Sequence, residues 1–300
     1  MCCCPAHDDS KPSLHIQDIN GKVLFYCFAG CAQADVIDAL RARGLWPIPG
    51  SSNGTTRNPT VRSAAQRRAY ALEIIRDTEA LNGHNLAQVL LRDTYFAARG
   101  IKHVPPTAML AGWGTDMWFT ISEKGRRVYC PPNAAIEQPR LVPDELAMVF
   151  EVTDGTEVLG AHVTWLSEDK KTKSDPSLGP QRQMFGPTRG GFIKLYAGEL
   201  DPTSKLIIAE GIETALSAAQ IGGGIPSIAA LSANNLPKIS PPLASEYLIC
   251  TDNDPPGLQG ARALAVKLVR AGHSVRFAIP PRANSDWNDE LMERLAHGEI

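Results

Sequence analysis

The clearest hydrophobic pattern in the chain is an alternation of short apolar runs with amphipathic helical segments in its last third. Runs typical of strands lie at 206–210, 227–231, 247–251 and 274–279, and helical segments lie at 212–220 and 257–271. The second helix has one apolar stripe, formed by Leu258, Ala261, Leu264, Ala265, Leu268 and Val269. Strands that alternate with helices predict a parallel sheet with helices on its faces.

The first 47 residues have the pattern of a hairpin followed by a helix. Two extended stretches, 13–17 and 22–28, flank Asn20-Gly21, which is a strong hairpin turn signal. The helix that follows is ended by Gly44 and Pro47. Its apolar positions are Ala34, Ile37, Leu40, Ala42 and Leu45. Because such a unit buries little apolar surface, a metal would have to contribute folding energy.

The middle of the chain changes character twice. Residues 48–60 combine Pro, Gly, Ser and Asn without apolar periodicity, which is typical of a flexible linker. From 62 to 99 the apolar spacing predicts two helices, broken around Asn82-Gly83. Beyond them, a mixed and mostly antiparallel domain is predicted by β-rich stretches at 148–152, 158–166 and 192–196.

Composition and charge narrow the class of protein. With 300 residues, 43% of them hydrophobic, the chain can bury a substantial core in two or three folded units. The net charge of −2 argues against non-specific coating of nucleic acid, which depends on many Lys and Arg contacts to phosphate. No apolar run approaches the ~20 residues needed to cross a bilayer, and the start has no signal-peptide core. We therefore expect a cytoplasmic protein without a membrane anchor, whose cysteines are reduced or metal-bound.

Two pairs of metal-binding residues flank the hairpin. Cys4 and His7 are separated by two residues, and Cys27 and Cys31 by three. Paired thiolate and imidazole donors at such spacings predict a structural, tetrahedral Zn²⁺ site with no open position. Cys2 or Cys3 could take the place of Cys4, but only Cys4 has the two-residue spacing to His7. The alternative is a set of intracellular thiols that bind no metal.

Acidic residues follow two of the predicted parallel strands. Glu210 ends the first strand of the α/β unit, and Asp252 follows the strand at 247–251 with Asp254 two residues further on. We expect them to meet at the carboxyl edge of the sheet, where ligands bind in such folds. Carboxylates held close together repel one another unless a cation is present, and oxygen ligands favour Mg²⁺ or Mn²⁺. Each acid could instead have a structural role, such as capping a helix.

A third acidic group is predicted to join this site. Asp286 and Asp289 flank Trp287-Asn288 at what reads as the start of a helix. One of them can cap the helix while the other binds metal, and the sequence leaves open which does which.

Basic residues are concentrated ahead of the acidic ones. Six Lys and Arg residues occur between 170 and 194, against one acid. Arg182, Arg189 and Lys194 are our candidates for contacts to a triphosphate or a template backbone, and Gly190-Gly191 would let a phosphate approach beside Arg189. The alternative is an ordinary solvated surface.

These residues resemble a known family. The stretches 4–14 and 26–31 are similar to the zinc-binding domain of bacterial-type DNA primases, and 209–217 with 251–254 resembles the Toprim domain of topoisomerases, primases and some nucleases. The best resemblance is to zinc-finger/Toprim primase-like proteins of phages, plasmids and mobile elements, although the middle of the chain matches only at 183–191. The three residues between Cys27 and Cys31 also suit that group, because cellular primases usually have two.

The resemblance implies an activity and the residues that perform it. It implies a primase that makes short RNA primers on single-stranded DNA from ribonucleoside triphosphates, with Zn²⁺ in the front unit. Glu210, Asp252 and Asp254 would be the catalytic and Mg²⁺- or Mn²⁺-binding acids, and Asp286 or Asp289 would occupy the position of a further acid. Because the sequence has no G-x-x-x-x-G-K-[ST] phosphate loop, unwinding would come from a separate helicase.

Other functions use the same residues. A Toprim nuclease needs the acids but not the zinc unit, and a non-catalytic DNA-binding or replication-control module would keep the fold without the chemistry. A topoisomerase is less favoured, because none of the six tyrosines lies in an evident strand-passage domain.

We therefore predict a multidomain α+β and α/β protein. Its parts are a zinc ribbon at 1–47, the linker at 48–60, a helical connector at 61–103, a mixed subdomain of a primase core at 104–203 and a Toprim domain at 204–300.

Overall fold

The structure is a computed structural model that divides into two compact units, Met1–Val61 and Arg62–Ile300. It describes residues 2–7, 12–19, 22–29, 31, 33–43, 45, 63–80, 83–111, 118–121, 127–130 and 146–300. The predicted linker at 48–60 lies outside the described residues. The predicted subdivision of the second unit stays a prediction.

The first unit is a hairpin with one helix. Strands β1 (Leu14–Ile19) and β2 (Lys22–Cys27) pair antiparallel, and helix α1 (Gln33–Ala42) follows. The turn predicted at Asn20-Gly21 lies outside the described residues. The buried core that the structure describes consists of Cys4, Leu14, Cys27 and Val36. Half of these residues are cysteines, so apolar burial alone gives this unit little stability.

The second unit begins with helices. Helix α2 (Ala64–Ala80) starts at a capping box, in which Ser63 and Gln66 bond reciprocally through side chain and amide. Helix α3 (Gly83–Leu90) follows, so the two predicted helices are confirmed. A π-helical turn (Arg92–Phe96) and a 3₁₀ turn (Ala97–Arg99) then end at Gly100, which has a left-handed backbone with φ 67°.

An antiparallel sheet forms the middle of this unit. The strands are β3 (Met109–Ala111), β4 (Trp118–Ile121), β5 (Arg127–Cys130), β6 (Ala147–Thr153), β7 (Val158–Trp165) and β8 (Arg182–Phe185). β4 pairs with β5, and the other four form one sheet in the order β3-β6-β7-β8. One face of that sheet packs with residues of α2, and the other packs in one core with residues of the C-terminal α/β region.

The last third is the predicted α/β arrangement. Its elements are β9 (Ile193–Lys194), β10 (Lys205–Ala209), α4 (Ile212–Ile221), β11 (Ser227–Ala229), β12 (Glu246–Cys250), α5 (Pro255–Arg270), β13 (Val275–Ala278) and α6 (Trp287–Ala296). The sheet order is β13-β12-β10-β11-β9, parallel except for β9. The predicted fold class is confirmed. Of the helices described, none has the length and apolarity required to span a membrane.

Two details differ from the sequence pattern. The stretch 192–196 was predicted to belong to the antiparallel domain, but it joins both sheets: Phe192 bridges to Thr153, and β9 then pairs with β11. Val269 was predicted on the buried stripe of α5 but is 58% exposed. The face of α5 that contacts the sheet is centred on Ala261, Leu264 and Leu268, and Val269 lies about 100° further round the helix.

Candidate metal centres

Three sulfur atoms and one ring nitrogen meet in the first unit. The donor atoms of Cys4, His7, Cys27 and Cys31 all lie within 4.8 Å of one another, and His7 Nδ1 is 3.2 Å from Cys31 Sγ. Cys27 ends β2, and Cys31 lies before α1. Cys2 and Cys3 are exposed cysteines outside this tetrad, and Cys2 forms a β-bridge with Leu14 instead. The structure therefore selects Cys4 over its two neighbours.

The thiols of the tetrad have opposite pKa shifts. Burial raises the pKa of Cys27, but the amides of Cys31 and Ala29 and the Ser13 hydroxyl outweigh it and lower the pKa to about 6. Burial and then the neighbouring Cys27 and Cys4 raise the pKa of Cys31 to about 11. The surroundings therefore favour ionisation of Cys27 and oppose ionisation of Cys31. A bound cation would reduce the repulsion between the two thiolates. Four S and N donors at this spacing fit a closed tetrahedral metal site.

The acids predicted at the sheet edge lie side by side. Ala209 and Cys250 are paired in adjacent parallel strands, so Glu210 and Asp252 follow at the same carboxyl edge. Burial, and then the charges of Glu210, Asp286 and Asp254, raise the pKa of Asp252 to about 7. The four carboxylates therefore share one region of negative charge, which opposes ionisation of Asp252.

A loop from the neighbouring strand approaches Glu210. Burial raises the pKa of Glu210, the backbone amide of Ala233 acts in the opposite direction, and the charge of Asp254 adds to the increase. The loop that brings Ala233 to Glu210 passes through Leu231, whose φ of 75° is unusual for a residue other than glycine. Such a conformation costs about 1–3 kcal/mol and persists where the surrounding structure holds it.

The other acids cap helices as well as facing this edge. Asp254 Oδ1 accepts from the Gly257 amide at the start of α5. Asp286 Oδ1 accepts from the backbone amides of Asn288 and Asp289 at the start of α6. The backbone amide of Asp286 donates in turn to Asp289 Oδ2, which completes a capping box. Asp289 is exposed, whereas the charge of Asp286 raises the pKa of Asp252. The cap is shared by both residues, so neither is a cap alone.

The acids are grouped closely enough to suit a hard cation such as Mg²⁺, but they do not form a closed set of ligands. Among the described residues, the Cys/His tetrad is the one group of three or more donors that all lie within 4.8 Å of one another, so the acids do not all lie that close together. Each cap uses Oδ1, which leaves the second oxygen of Asp254 and of Asp286 unneeded by the cap. Clustered carboxylates with one pKa raised to about 7 are an environment that Mg²⁺ or Mn²⁺ would stabilise.

The three basic candidates lie in different places. Arg182 is exposed on β8, opposite Thr164 of β7, and its charge acts to lower the pKa of Glu210. Arg189 is also exposed, but the amide of the neighbouring Gly190 donates to Asn235 and is therefore engaged. Lys194 lies on the edge strand β9, where its ammonium donates to the Gly198 carbonyl beside a cavity of about 340 Å³. Of the three, Arg182 is the one whose charge acts on a carboxylate of the acidic edge.

Sequence reasoning missed two residues that shape the acidic site. The Thr214 hydroxyl, in the first turn of α4, donates to Asp252 Oδ1 at 3.4 Å. The side-chain amide of Asn253 donates to the carbonyls of Pro280 and Arg282, and the backbone amide of Asn253 donates to the carbonyl of Ser285. Asn253 thus ties the loop of Asp252 to the loop before α6. Its position between two acids was the only available signal.

Comparisons with known proteins bear on this α/β region. Residues 205–297 match a family described as the Toprim domain, and residues 65–195 match a domain of unknown function, DUF7146. A search of curated proteins gives no significant match.

Several solved structures are similar to the chain at low identity. The zinc-binding and RNA polymerase domains of the Aquifex aeolicus primase align with 97% of this chain and 74% of that one, at 16% identity and a TM-score of 0.45. A DNA primase domain from Pseudomonas aeruginosa aligns with 75% of this chain and 74% of that one, at 19% identity and a TM-score of 0.39. The primase fragment of the bacteriophage T7 primase-helicase aligns with 52% of this chain and 63% of that one, at 15% identity and a TM-score of 0.37.

The Toprim match covers both stretches that carried the resemblance in this region, 209–217 and 251–254. It includes Glu210, Asp252, Asp254 and Asp286, and the parallel sheet that brings them together. Residues 205–297 therefore form a Toprim domain, and the resemblance of 209–217 and 251–254 to that domain is confirmed.

Proposed function

We propose that this protein is a DNA primase that makes short RNA primers on single-stranded DNA by nucleotidyl transfer from ribonucleoside triphosphates. The observation that carries the proposal is the meeting of Glu210, Asp252, Asp254 and Asp286 at one edge of the Toprim sheet. Arg182, on a strand outside that domain, adds a positive charge that acts to lower the pKa of Glu210. Clustered acids with a positive charge nearby suit a triphosphate, whose charge a divalent cation and a guanidinium can both neutralise.

The acidic edge would hold the divalent cation. Glu210, Asp252 and Asp254 are the proposed ligands and catalytic acids, and Asp286 with Asp289 supplies the further acid. When bound there, Mg²⁺ or Mn²⁺ would neutralise charge on the pyrophosphate leaving group and favour ionisation of the 3′-hydroxyl nucleophile. Thr214 would orient Asp252, and Arg182 would contact the triphosphate.

Glu210 is suited to the proton transfer. Its pKa is raised by burial and by Asp254, so it holds a proton more readily than an ordinary carboxylate at neutral pH. A base with a pKa closer to the working pH accepts a proton more effectively. We therefore assign Glu210 either to cation binding or to deprotonation of the primer hydroxyl.

The first unit would bind Zn²⁺ and help to engage the template. Tyr26 and Phe28 flank Cys27 and are 62% and 66% exposed, with ring centroids 4.9 Å apart. Exposed rings fixed beside a structural metal can stack on unpaired bases. Arg189 and Lys194 remain proposed contacts to nucleic acid backbone or nucleotide. We further propose a cytoplasmic role in replication of a phage, plasmid or other mobile element, with a separate helicase.

The test is incorporation of labelled ribonucleotides on random single-stranded DNA with Mg²⁺ or Mn²⁺. We expect product from the wild-type protein and a loss of at least about a hundredfold in Glu210→Gln, the effect of removing one contact to the charge of a transition state. Glu299→Gln is the matched control, because Glu299 is exposed beyond the end of α6 and is not among the proposed cation or nucleotide contacts, and it should retain activity.

A wild-type protein that incorporates no ribonucleotide on any template would end the primase proposal. The same preparations should be incubated with supercoiled plasmid. Cation-dependent cutting without incorporation would select a Toprim nuclease, since that activity uses the same acids. DNA binding that is indifferent to Asp252→Asn would select a non-catalytic module.

A further inference from the structure

Residues 95–102 lie outside the Toprim domain but contact two of its helices. They span the end of the π-helical turn, the 3₁₀ turn and Gly100. We call them the support segment. Helix α4, which starts two residues after Glu210, and helix α6, which is capped by Asp286, both make hydrogen bonds to it.

The first contact joins the segment to the start of α4. The hydroxyl of Tyr95 donates to Glu213 Oε1 at 2.5 Å, and the Lys173 ammonium is 3.0 Å from the same oxygen. The side chain of Glu213 is only 14% exposed. Burial opposes its ionisation, but Lys173 and Tyr95 outweigh it, so that its pKa is lowered. Losing a partner of a buried carboxylate is costly, so this contact holds the first turn of α4 in place.

The second contact joins the segment to α6. The side-chain amide of Asn288 donates to the carbonyl of Arg99 at 2.8 Å and to the Ser217 hydroxyl of α4 at 3.0 Å. One side chain, two residues after Asp286, therefore connects α6, α4 and the segment. The guanidinium of Arg99 in turn lies 3.7 Å from the centre of the Tyr95 ring.

The third contact joins the segment to the end of α4. Gln220 donates to the carbonyl of Gly100 at 2.9 Å and accepts from the amide of Lys102 at 2.7 Å. A side chain at Gly100 would meet Leu295 of α6, with a Cβ only 2.4 Å from its Cδ1. The segment thus lies close against α6 while it is bonded to both ends of α4.

We infer that the support segment is a positioning element of the acidic site, which sets the spacing between α4 and α6. α4 carries Thr214, which bonds Asp252, and α6 carries Asp286 at its cap. The inference rests on the proposed cation site and goes beyond it, because it assigns part of the site's geometry to residues outside the Toprim domain. No residue of the segment needs to touch the cation.

The test compares Tyr95→Phe with Tyr247→Phe in the full chain. Tyr247 is 1% exposed and donates its hydroxyl to Pro242 at 3.0 Å, at the end of β12 remote from Asp252. Both variants lose one buried hydroxyl bond, so both should lower the melting temperature. Only Tyr95→Phe should weaken Mn²⁺ binding, by about tenfold, the low end of the effect of removing a group that orients metal ligands. Isothermal titration with Mn²⁺ measures the dissociation constant.

Unchanged Mn²⁺ affinity in folded Tyr95→Phe would overturn the inference while leaving the proposed function intact. An equal loss in Tyr247→Phe would also overturn it, because the effect would then follow stability alone. If the wild-type chain binds no Mn²⁺, the cation site and this inference both fail. If Tyr95→Phe does not fold, Gln220→Ala is tested in its place, because Gln220 bonds the support segment at the other end of α4. Unchanged Mn²⁺ affinity in folded Gln220→Ala would also overturn the inference.

Discussion

Replacing Asp252 by asparagine is expected to remove nucleotide incorporation and at the same time to stabilise the cation-free protein at neutral pH. The carboxylate is a proposed cation ligand, so activity should fall by a hundredfold to about a thousandfold. Its pKa is raised to about 7 by burial and by three neighbouring acids, so its charge opposes folding. We expect a gain of about 1–2 kcal/mol at pH 8, less than the full shift would give because the group is partly exposed. Chemical denaturation measures the free energy of unfolding of the cation-free and the Mn²⁺-bound protein, and the ribonucleotide incorporation assay measures the activity.

The pH dependence has a definite sign. Between the ordinary carboxyl pKa of 3.8 and the folded value of about 7, the folded chain binds the Asp252 proton more tightly than the unfolded chain does. The free energy of unfolding of the cation-free wild type should therefore decrease as pH rises through this window, and Asp252→Asn should lack that component. The proton also competes with the cation, so Mn²⁺ affinity should be about tenfold weaker at pH 6 than at pH 8.

Asp201→Asn is the matched control, because Asp201 is exposed before β10 and its carboxylate accepts hydrogen bonds from Thr203 in its own turn. It should keep both Mn²⁺ binding and activity. If Asp252→Asn binds Mn²⁺ as the wild type does, or is less stable than the wild type without Mn²⁺ at pH 8, the assignment of Asp252 to a crowded cation site is wrong.

The parts of the fold that the sequence predicted depend on local pattern. The central parallel strands β10 and β12 are mostly buried on both faces, so each appears as a largely apolar run, and an acid after such a run falls at the carboxyl edge. Glu210 and Asp252 could therefore be placed together before the structure was known. The Cys/His tetrad was predictable for the same reason, because ligand spacing within each pair is a local property.

The parts that were missed depend on contacts between distant segments. β8 carries Arg182 and Met184 exposed on one face, so its pattern has no continuous apolar run. β9 lies within the stretch 192–196 that was predicted to be β-rich, but its pairing with β11, and so its place in the α/β sheet, was not predicted. The bond from Tyr95 to Glu213 spans 118 positions, and nothing near either residue in the sequence indicates the other.

Removing the metal from the first unit is expected to unfold that unit while the second unit stays folded. The buried core that the structure describes there has four residues, two of them cysteines of the tetrad, whereas the described part of Arg62–Ile300 has three cores of its own. Zn²⁺ binding contributes about 10–16 kcal/mol to folding in small zinc domains, more than such a core supplies. A zinc-selective chelator, with Mg²⁺ in excess, should therefore remove hydrogen-exchange protection from 14–27 and leave 205–297 protected.

The choice of ligands can be tested with adjacent residues. Cys4 is 3% exposed within the tetrad, and Cys3 is exposed outside it. Cys4→Ser should lower the zinc content from one ion per chain towards none and abolish protection of 14–27, whereas Cys3→Ser should change neither. Elemental analysis of the purified variants gives the zinc content. Full zinc occupancy in Cys4→Ser, or its loss in Cys3→Ser, would show that the tetrad is not the site, and a first unit that stays folded without zinc would show that its core suffices alone.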